Sequence, residues 1–208
     1  MKLYGFPASP NTWKVRAVAA HLGLPVESEF VDLTKGQSRT PQFLALNPTG
    51  RTPVLADGDF VLWESTAIMQ YLAKSSSLFP DDARTRAIIM QWQSFELQHW
   101  GKDACQVLTF ERLVKKVMNM GPPDPAAVAK GTEAFNREAS ALDGHLAKHP
   151  YLAGNTLTLA DFSVAGALLY AKEAELPLSG YPHLAAWAGK VLGLPAWRDT
   201  APDFAAAA

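Results

Sequence analysis

The spacing of apolar residues divides the chain into two parts of different character. In the first, short β-favouring runs alternate with helical stripes. Lys2-Leu3-Tyr4-Gly5 reads as a strand, and Trp13, Arg16, Val18, Ala19 and Leu22 suit one helix, stopped by Gly23 with Pro25 just beyond. Residues 26–32 read as a second strand. A strand, a helix and a strand in succession imply a right-handed crossover with parallel strands. A polar stretch over residues 33–40 follows, and Pro41 then opens a short helix carrying Phe43, Leu44 and Leu46. Asn47-Pro48-Thr49-Gly50 is a turn signal, because Pro fixes φ and Gly closes a tight reversal. Val54-Leu55-Ala56 and Phe60-Val61-Leu62-Trp63, separated by Asp57-Gly58-Asp59, predict a hairpin. The period then changes to that of a helix at Ala67, Ile68, Tyr71 and Leu72, with Glu64, Ser65 and Thr66 in its first turn.

Ser75-Ser76-Ser77 marks a change of composition. Residues 75–80 are expected to form a linker between a small α/β domain over 1–74 and an all-helical domain over 81–208. Asp81 and Asp82 can cap a long helical run through Ala87, Met90, Trp92, Phe95 and Leu97 toward Val117, kinked at Gly101. Val128, Thr132, Phe135, Ala139, Leu142 and Leu146 recur in steps of four and three, the stripe of a helix packed on other helices. A third helix is predicted from about Thr158 and a fourth between Pro182 and Gly193. Thr158 and Asp161 have the spacing of a capping box, which accounts for the acid without a catalytic role. Residues 205–208, all alanine, read as a low-complexity tail.

Composition narrows the function. With 208 residues, 48% hydrophobic and 19% charged, the chain can bury a substantial core without staples. A formal net charge of -1 supplies no basic field for nucleic acid or anionic lipid, so the expected partner is a small molecule or another protein. The single cysteine, Cys105, excludes an internal disulfide and a dithiol redox pair, and offers too few thiols for a thiolate zinc site. No metal is expected. Without an apolar run of spanning length or a leader-like start, a cytoplasmic protein is the expectation.

Polar residues gather at one edge of the predicted sheet. Ser9, Asn11 and Thr12 lie where the first strand gives way to a helix, at the carboxyl edge where α/β sheets collect ligands. Thr52 before Pro53 offers backbone groups to an extended peptide if that bond is cis. Ser65, at a helix start, can meet a carboxylate, and Glu64 can accept from an ammonium; each can equally be only a cap or turn residue.

Together, Lys2-Leu3-Tyr4-Gly5 with its Pro-x-Ser loop, the run from Asn47 to Leu55, Glu64-Ser65-Thr66-Ala67-Ile68 and Thr158-Leu159-Ala160-Asp161 resemble the cytosolic glutathione transferases. The likeness is to the serine-type, theta-, phi- or beta-like branches of bacterial or fungal kind, and it covers nearly the whole chain. It implies a thioredoxin-like N-terminal domain, a helical-bundle C-terminal domain and a homodimer. It further implies glutathione as co-substrate and a small hydrophobic electrophile as the other substrate. Ser9 matches the hydroxyl that faces the thiol, with Asn11 and Thr12 as alternatives. Thr52 and Pro53 match the cysteinyl-backbone loop, and Glu64 and Ser65 match the γ-glutamyl site. Lys35 and Arg39 are eligible for the glycine carboxylate, and Arg51 can recruit a carboxylate beside them. Phe6, Trp100, Phe110 and Leu113 are the candidates for the electrophile pocket. A non-catalytic binding module and a glutathione-dependent lyase or isomerase are the competing readings.

Overall fold

A computed structural model of the chain describes residues 1–202, so the alanine tail at 205–208 lies outside the described residues. The chain forms two compact units. One joins Met1–Phe79 to the segment from Leu194 onward, and the other is Pro80–Gly193. The division at Phe79 falls inside the expected linker. The last segment, expected in the helical half, belongs instead to the first unit. The reason is a tryptophan pair: Trp13 Nε1 donates to Trp197 O at 3.1 Å, and the two rings meet edge to face at 6.2 Å.

The first unit follows the predicted order: β1 (Lys2–Gly5), α1 (Pro10–His21), β2 (Glu27–Phe30), α2 (Pro41–Leu46), β3 (Val54–Asp57), β4 (Phe60–Trp63) and α3 (Ser65–Leu72). The sheet runs β2-β1-β3-β4, with β1 parallel to β2 and the other pairs antiparallel. Leu3 pairs with Leu55 and Leu55 with Leu62, and α1 and α3 pack side by side. Phe43 of α2 forms a second small core with Val31 and Val54, to which Tyr4 and Val61 add. β2 is shorter than predicted and exposed at all four positions, because it is an edge strand.

α1 also departs from the simple stripe. Thr12, Lys14, Val15, Ala17, Val18 and Ala19 are all buried, so polar as well as apolar positions face inward. Its C-terminal end is closed as predicted by Gly23 at φ +65°, with Leu24 N donating to Ala19 O at 2.9 Å.

The second unit is helical throughout its regular structure: α4 (Ala83–Phe95), α5 (Gln106–Thr109), α6 (Lys115–Val117), α7 (Pro125–Leu146), α8 (Leu159–Gly166) and α9 (Pro182–Leu192). α10 (Pro195–Arg198) belongs to the first unit. Asp82 caps α4, accepting from Thr85 N at 2.7 Å. Between Phe95 and Lys115 lie two π-helical segments, Glu96–Cys105 and Phe110–Val114, and Gly101 falls in the first of them. On α7 the buried stripe is Gly131, Ala134, Phe135, Ala139, Leu142 and Leu146; the predicted Val128 and Thr132 lie at its margin.

At α8 the capping box is present and carries more than a cap. Asp161, fully buried, accepts from Thr158 N at 2.9 Å, Thr158 Oγ1 at 3.2 Å, Leu152 N at 3.0 Å and Trp187 Nε1 at 3.0 Å. Burial nevertheless pushes its carboxyl above the usual range, against the pull of these bonds. Replacing Asp161 with Ala strands three buried N–H donors. Urea unfolding is expected to show a loss of about 3 kcal/mol or more, well beyond an exposed cap, whereas a loss below about 1 kcal/mol would contradict this role.

Candidate glutathione site

The loop from β1 into α1 delivers the first polar group. Ser9 N donates to Phe6 O at 2.9 Å, and this turn sets Ser9 at the N-cap of α1 with extended backbone. Its hydroxyl makes no capping bond. Pro10 at the next position opens the helix with its fixed φ, and its missing N–H costs the first turn nothing.

Two helix starts meet beside it. Ser65, the first residue of α3, is 5% exposed, and its Oγ donates to Asn11 Oδ1 at 3.4 Å. Glu64, immediately before, is exposed and holds φ at +72°, a left-handed backbone that a non-glycine residue adopts at a cost of roughly 1–3 kcal/mol. The carboxylate makes no capping bond to α3. Ser65 therefore comes to lie at the helix start, where unpaired amides and the positive end of the dipole favour an anion.

The third part is the turn before β3. The Thr52–Pro53 bond is cis, and among the described residues the backbone of Thr52 enters no turn or loop hydrogen bond. Asn47 braces this turn from within. At 2% exposure it donates from Nδ2 to Arg51 O at 2.8 Å and accepts at Oδ1 from Thr49 N at 3.0 Å and Thr49 Oγ1 at 2.9 Å. Gly50 must be small as well as left-handed, because a Cβ there would lie 2.9 Å from the backbone carbonyl of Ser38.

The sequence that carries these features matches the models of one family. The model of the glutathione S-transferase N-terminal domain matches residues 1–74, and that of the C-terminal domain matches residues 108–195. Glutathione S-transferase 3 of Zea mays is 39% identical, covering 96% of this chain and 92% of its own. A glutathione S-transferase of Hyoscyamus muticus is 34% identical, with 95% of each chain covered. The chain belongs to the glutathione S-transferase family. Among solved structures, glutathione S-transferase III in apo form superposes with a TM-score of 0.84 at 39% identity, over 96% of this chain and 94% of that one. Glutathione S-transferase-I bound with lactoylglutathione superposes at 0.88 with 27% identity, over 96% and 97%.

Within this glutathione S-transferase the remaining candidates separate by location. Arg39 donates from Nη1 to Thr49 O at 3.1 Å and so stands at the turn that leads to Pro53. Arg51 is exposed on the same turn. Lys35 instead pairs with Asp32 at 3.2 Å. Asp32 is held by Thr34 Oγ1 first, then by Lys35 and the loop amides, which lowers its carboxyl below the usual range. Thr12 is set apart from the other hydroxyls: it is 3% exposed and packed over Gly5, so it cannot present a donor at the helix start. Sequence reasoning treated Asn47 only as a turn residue. An Asn that starts a Pro-x-Gly turn is the available signal for a side-chain brace.

The four candidates for the electrophile pocket divide likewise. Phe6, half-buried, faces Phe30 at 6.1 Å in the first unit. Phe110 and Leu113 lie on the second π-helical segment with surface exposed. Trp100 is a correction: fully buried, it packs on Phe135 at 4.9 Å and donates to Val164 O at 3.1 Å, so it is core. His99 is exposed beside Phe95. Cys105, at 1% exposure, is also core, and burial pushes its thiol well above the ordinary range. The native protein should therefore show almost no reaction with Ellman's reagent at neutral pH and release one equivalent on unfolding. Rapid labelling in the native state would contradict the enclosure of Cys105.

Proposed function

We propose that the protein transfers glutathione to small hydrophobic electrophiles, with Ser9 as the donor that holds the thiolate. The observation that carries this reading is the Ser9 hydroxyl, placed at the start of α1 and left out of capping, next to the Ser65–Asn11 contact. Glutathione would lie extended along the cis Thr52–Pro53 turn, pairing with the backbone of Thr52 as an added strand. Its γ-glutamyl carboxylate would meet Ser65 and the α3 amides, and its ammonium would meet Glu64. Arg39, with Arg51 or Lys35 beside it, would take the glycine carboxylate.

The chemical task of the site is to acidify a thiol. A free thiol near pKa 8.5 is mostly protonated at neutral pH, and lowering it by two units takes roughly 2.7 kcal/mol of preferential thiolate stabilisation. One hydroxyl donor and the start of a twelve-residue helix supply an effect of that order. Ser9 donates throughout and keeps its proton. The thiolate attacks an electrophilic carbon, forming the C–S bond as a leaving group departs or as a conjugated double bond takes up a proton. Phe6, half-buried beside Phe30 in the first unit, is the side chain of that unit proposed to meet the apolar body.

The relatives named above are plant proteins, which supports a phi-like placement. A cytoplasmic homodimer completes the proposal. Exposed apolar side chains, Phe60 on the first unit and, separately, Ile88 and Met90 on the second, support covered surfaces.

The test is a conjugation screen with chlorinated aromatics, epoxides, isothiocyanates and enones. Ser9→Ala is expected to lower kcat/KM roughly a hundredfold with little change in KM for glutathione, and to move the rising limb of the pH profile upward. Ser65→Ala should instead raise KM for glutathione about tenfold. Full activity in Ser9→Ala with loss in Asn11→Ala would transfer the donor role to Asn11. Glutathione binding with no conjugation anywhere in the panel would favour the binding-module reading.

A further inference from the structure

The end of α7 carries a cluster of rings that the transferase reading leaves unused. His145 and His149 stand four residues apart, and His149 N donates to His145 O at 3.2 Å. The helical turn thus continues past Leu146, the last residue of α7, and sets both side chains on one face. Their ring centroids lie 4.5 Å apart, with the planes inclined by 29°. Trp92 of α4 packs on His145, with centroids 4.8 Å apart. His145 is half-buried and His149 exposed, so the pair reaches solvent at its outer member.

His145 is held in the way a ligand would be. Its Nε2 lies 3.0 Å from Leu152 O, and because a carbonyl can only accept, Nε2 carries the proton and the neutral ring keeps its lone pair at Nδ1. The Leu152 peptide is itself fixed, since Leu152 N donates to Asp161 Oδ1 at 3.0 Å and Asp161 is fully buried. A buried carboxylate therefore steadies the imidazole through one peptide unit. Outer support of this kind orients metal-binding histidines and decides which nitrogen is bare. The cysteine count argues against a thiolate site, but imidazole is a different donor, suited to copper, nickel and zinc.

We propose that His145 Nδ1 and the imidazole of His149 together bind one divalent late-transition-metal ion, copper(II) most tightly. Stacked rings do not aim both lone pairs at one point, and the exposed His149 supplies the adjustment by turning about χ2, a soft torsion. Among the described residues no group of three or more His, Cys, Asp or Glu is placed to hold a metal. The ion therefore keeps water in its remaining positions, and the site is open and exchangeable rather than a structural cage. Copper(II) leads the affinity order for nitrogen donors, ahead of nickel and zinc. None of the residues proposed to hold glutathione takes part.

The experiment is calorimetric titration of the full chain, free of any polyhistidine tag, with copper(II) in glutathione-free buffer, followed by electron paramagnetic resonance of the loaded protein. The expected result is one site per chain with a dissociation constant in the micromolar range and a spectrum that shows coordinated imidazole nitrogen. His145→Gln and His149→Gln should each weaken binding by at least about tenfold. His145→Gln also removes the bond to Leu152, so the exposed His149→Gln, which leaves that bond in place, decides the assignment. His21→Gln, His99→Gln and His183→Gln should stay within about twofold of wild type. Zinc(II) should bind more weakly than copper(II), and magnesium(II), which prefers oxygen donors, should not bind. The proposal is overturned by absence of copper binding, by unchanged affinity in His149→Gln, or by loss of the site on replacing His21, His99 or His183. It is equally overturned if magnesium(II) binds as tightly as copper(II), because carboxylates rather than imidazoles would then be the ligands.

Discussion

The missing side chain at Gly5 is the constraint on which the first unit depends. A Cβ there would overlap the γ-methyl of Thr12 and lie 2.7 Å from its Oγ1, so α1 settles directly onto the end of β1 only because residue 5 is glycine. Close seating of that helix brings Asn11 to Ser65, puts Ser9 at the open start of α1 and aligns Trp13 with Trp197. It also buries the hydroxyl of Thr12 where nothing in the described chain answers it. One close approach thus sets the polar groups at both helix starts.

The polar parts of the site are ordered by different means. Asn47 fixes its turn with three side-chain hydrogen bonds from a buried position, which makes the approach to Pro53 rigid. Glu64 is held by backbone geometry, and Ser65 by one long contact to Asn11. A tripeptide bound as proposed would find a stiff strand-like edge at one end and a more adjustable pair of helix starts at the other. Pre-organisation of the stiff part reduces the ordering cost of binding.

Much of this was legible in the sequence because local signals and tertiary packing agree. The hairpin around Gly58, the turn at Asn47-Pro48-Thr49-Gly50 and the cap at Thr158 with Asp161 each rest on residues whose short-range chemistry leaves few alternatives. The failures are long-range. Trp100 has the spacing of a pocket aromatic and of a core aromatic alike, and only its neighbours Phe135 and Val164 decide between them. Gly101 signalled an irregularity in the long helix, but its form, wider π-helical turns, is one that no propensity scale encodes. Lys14 and Thr12 are α1 residues that polarity alone assigns to solvent, yet both are buried. The attachment of α10 to α1 depends on a tryptophan pair separated by most of the chain, a relation that periodicity cannot express.

That attachment makes the first unit discontinuous: Met1–Phe79 is complete only when the segment after Gly193 returns to it. On the ribosome, where domains fold as they emerge, the unit that is begun first is therefore finished last. Its sheet can form early, but Trp13 must wait for Trp197 while the whole helical unit is synthesised in between. The nascent protein passes through an interval in which α1 shows one uncovered flank, and the arrival of Trp197 closes it.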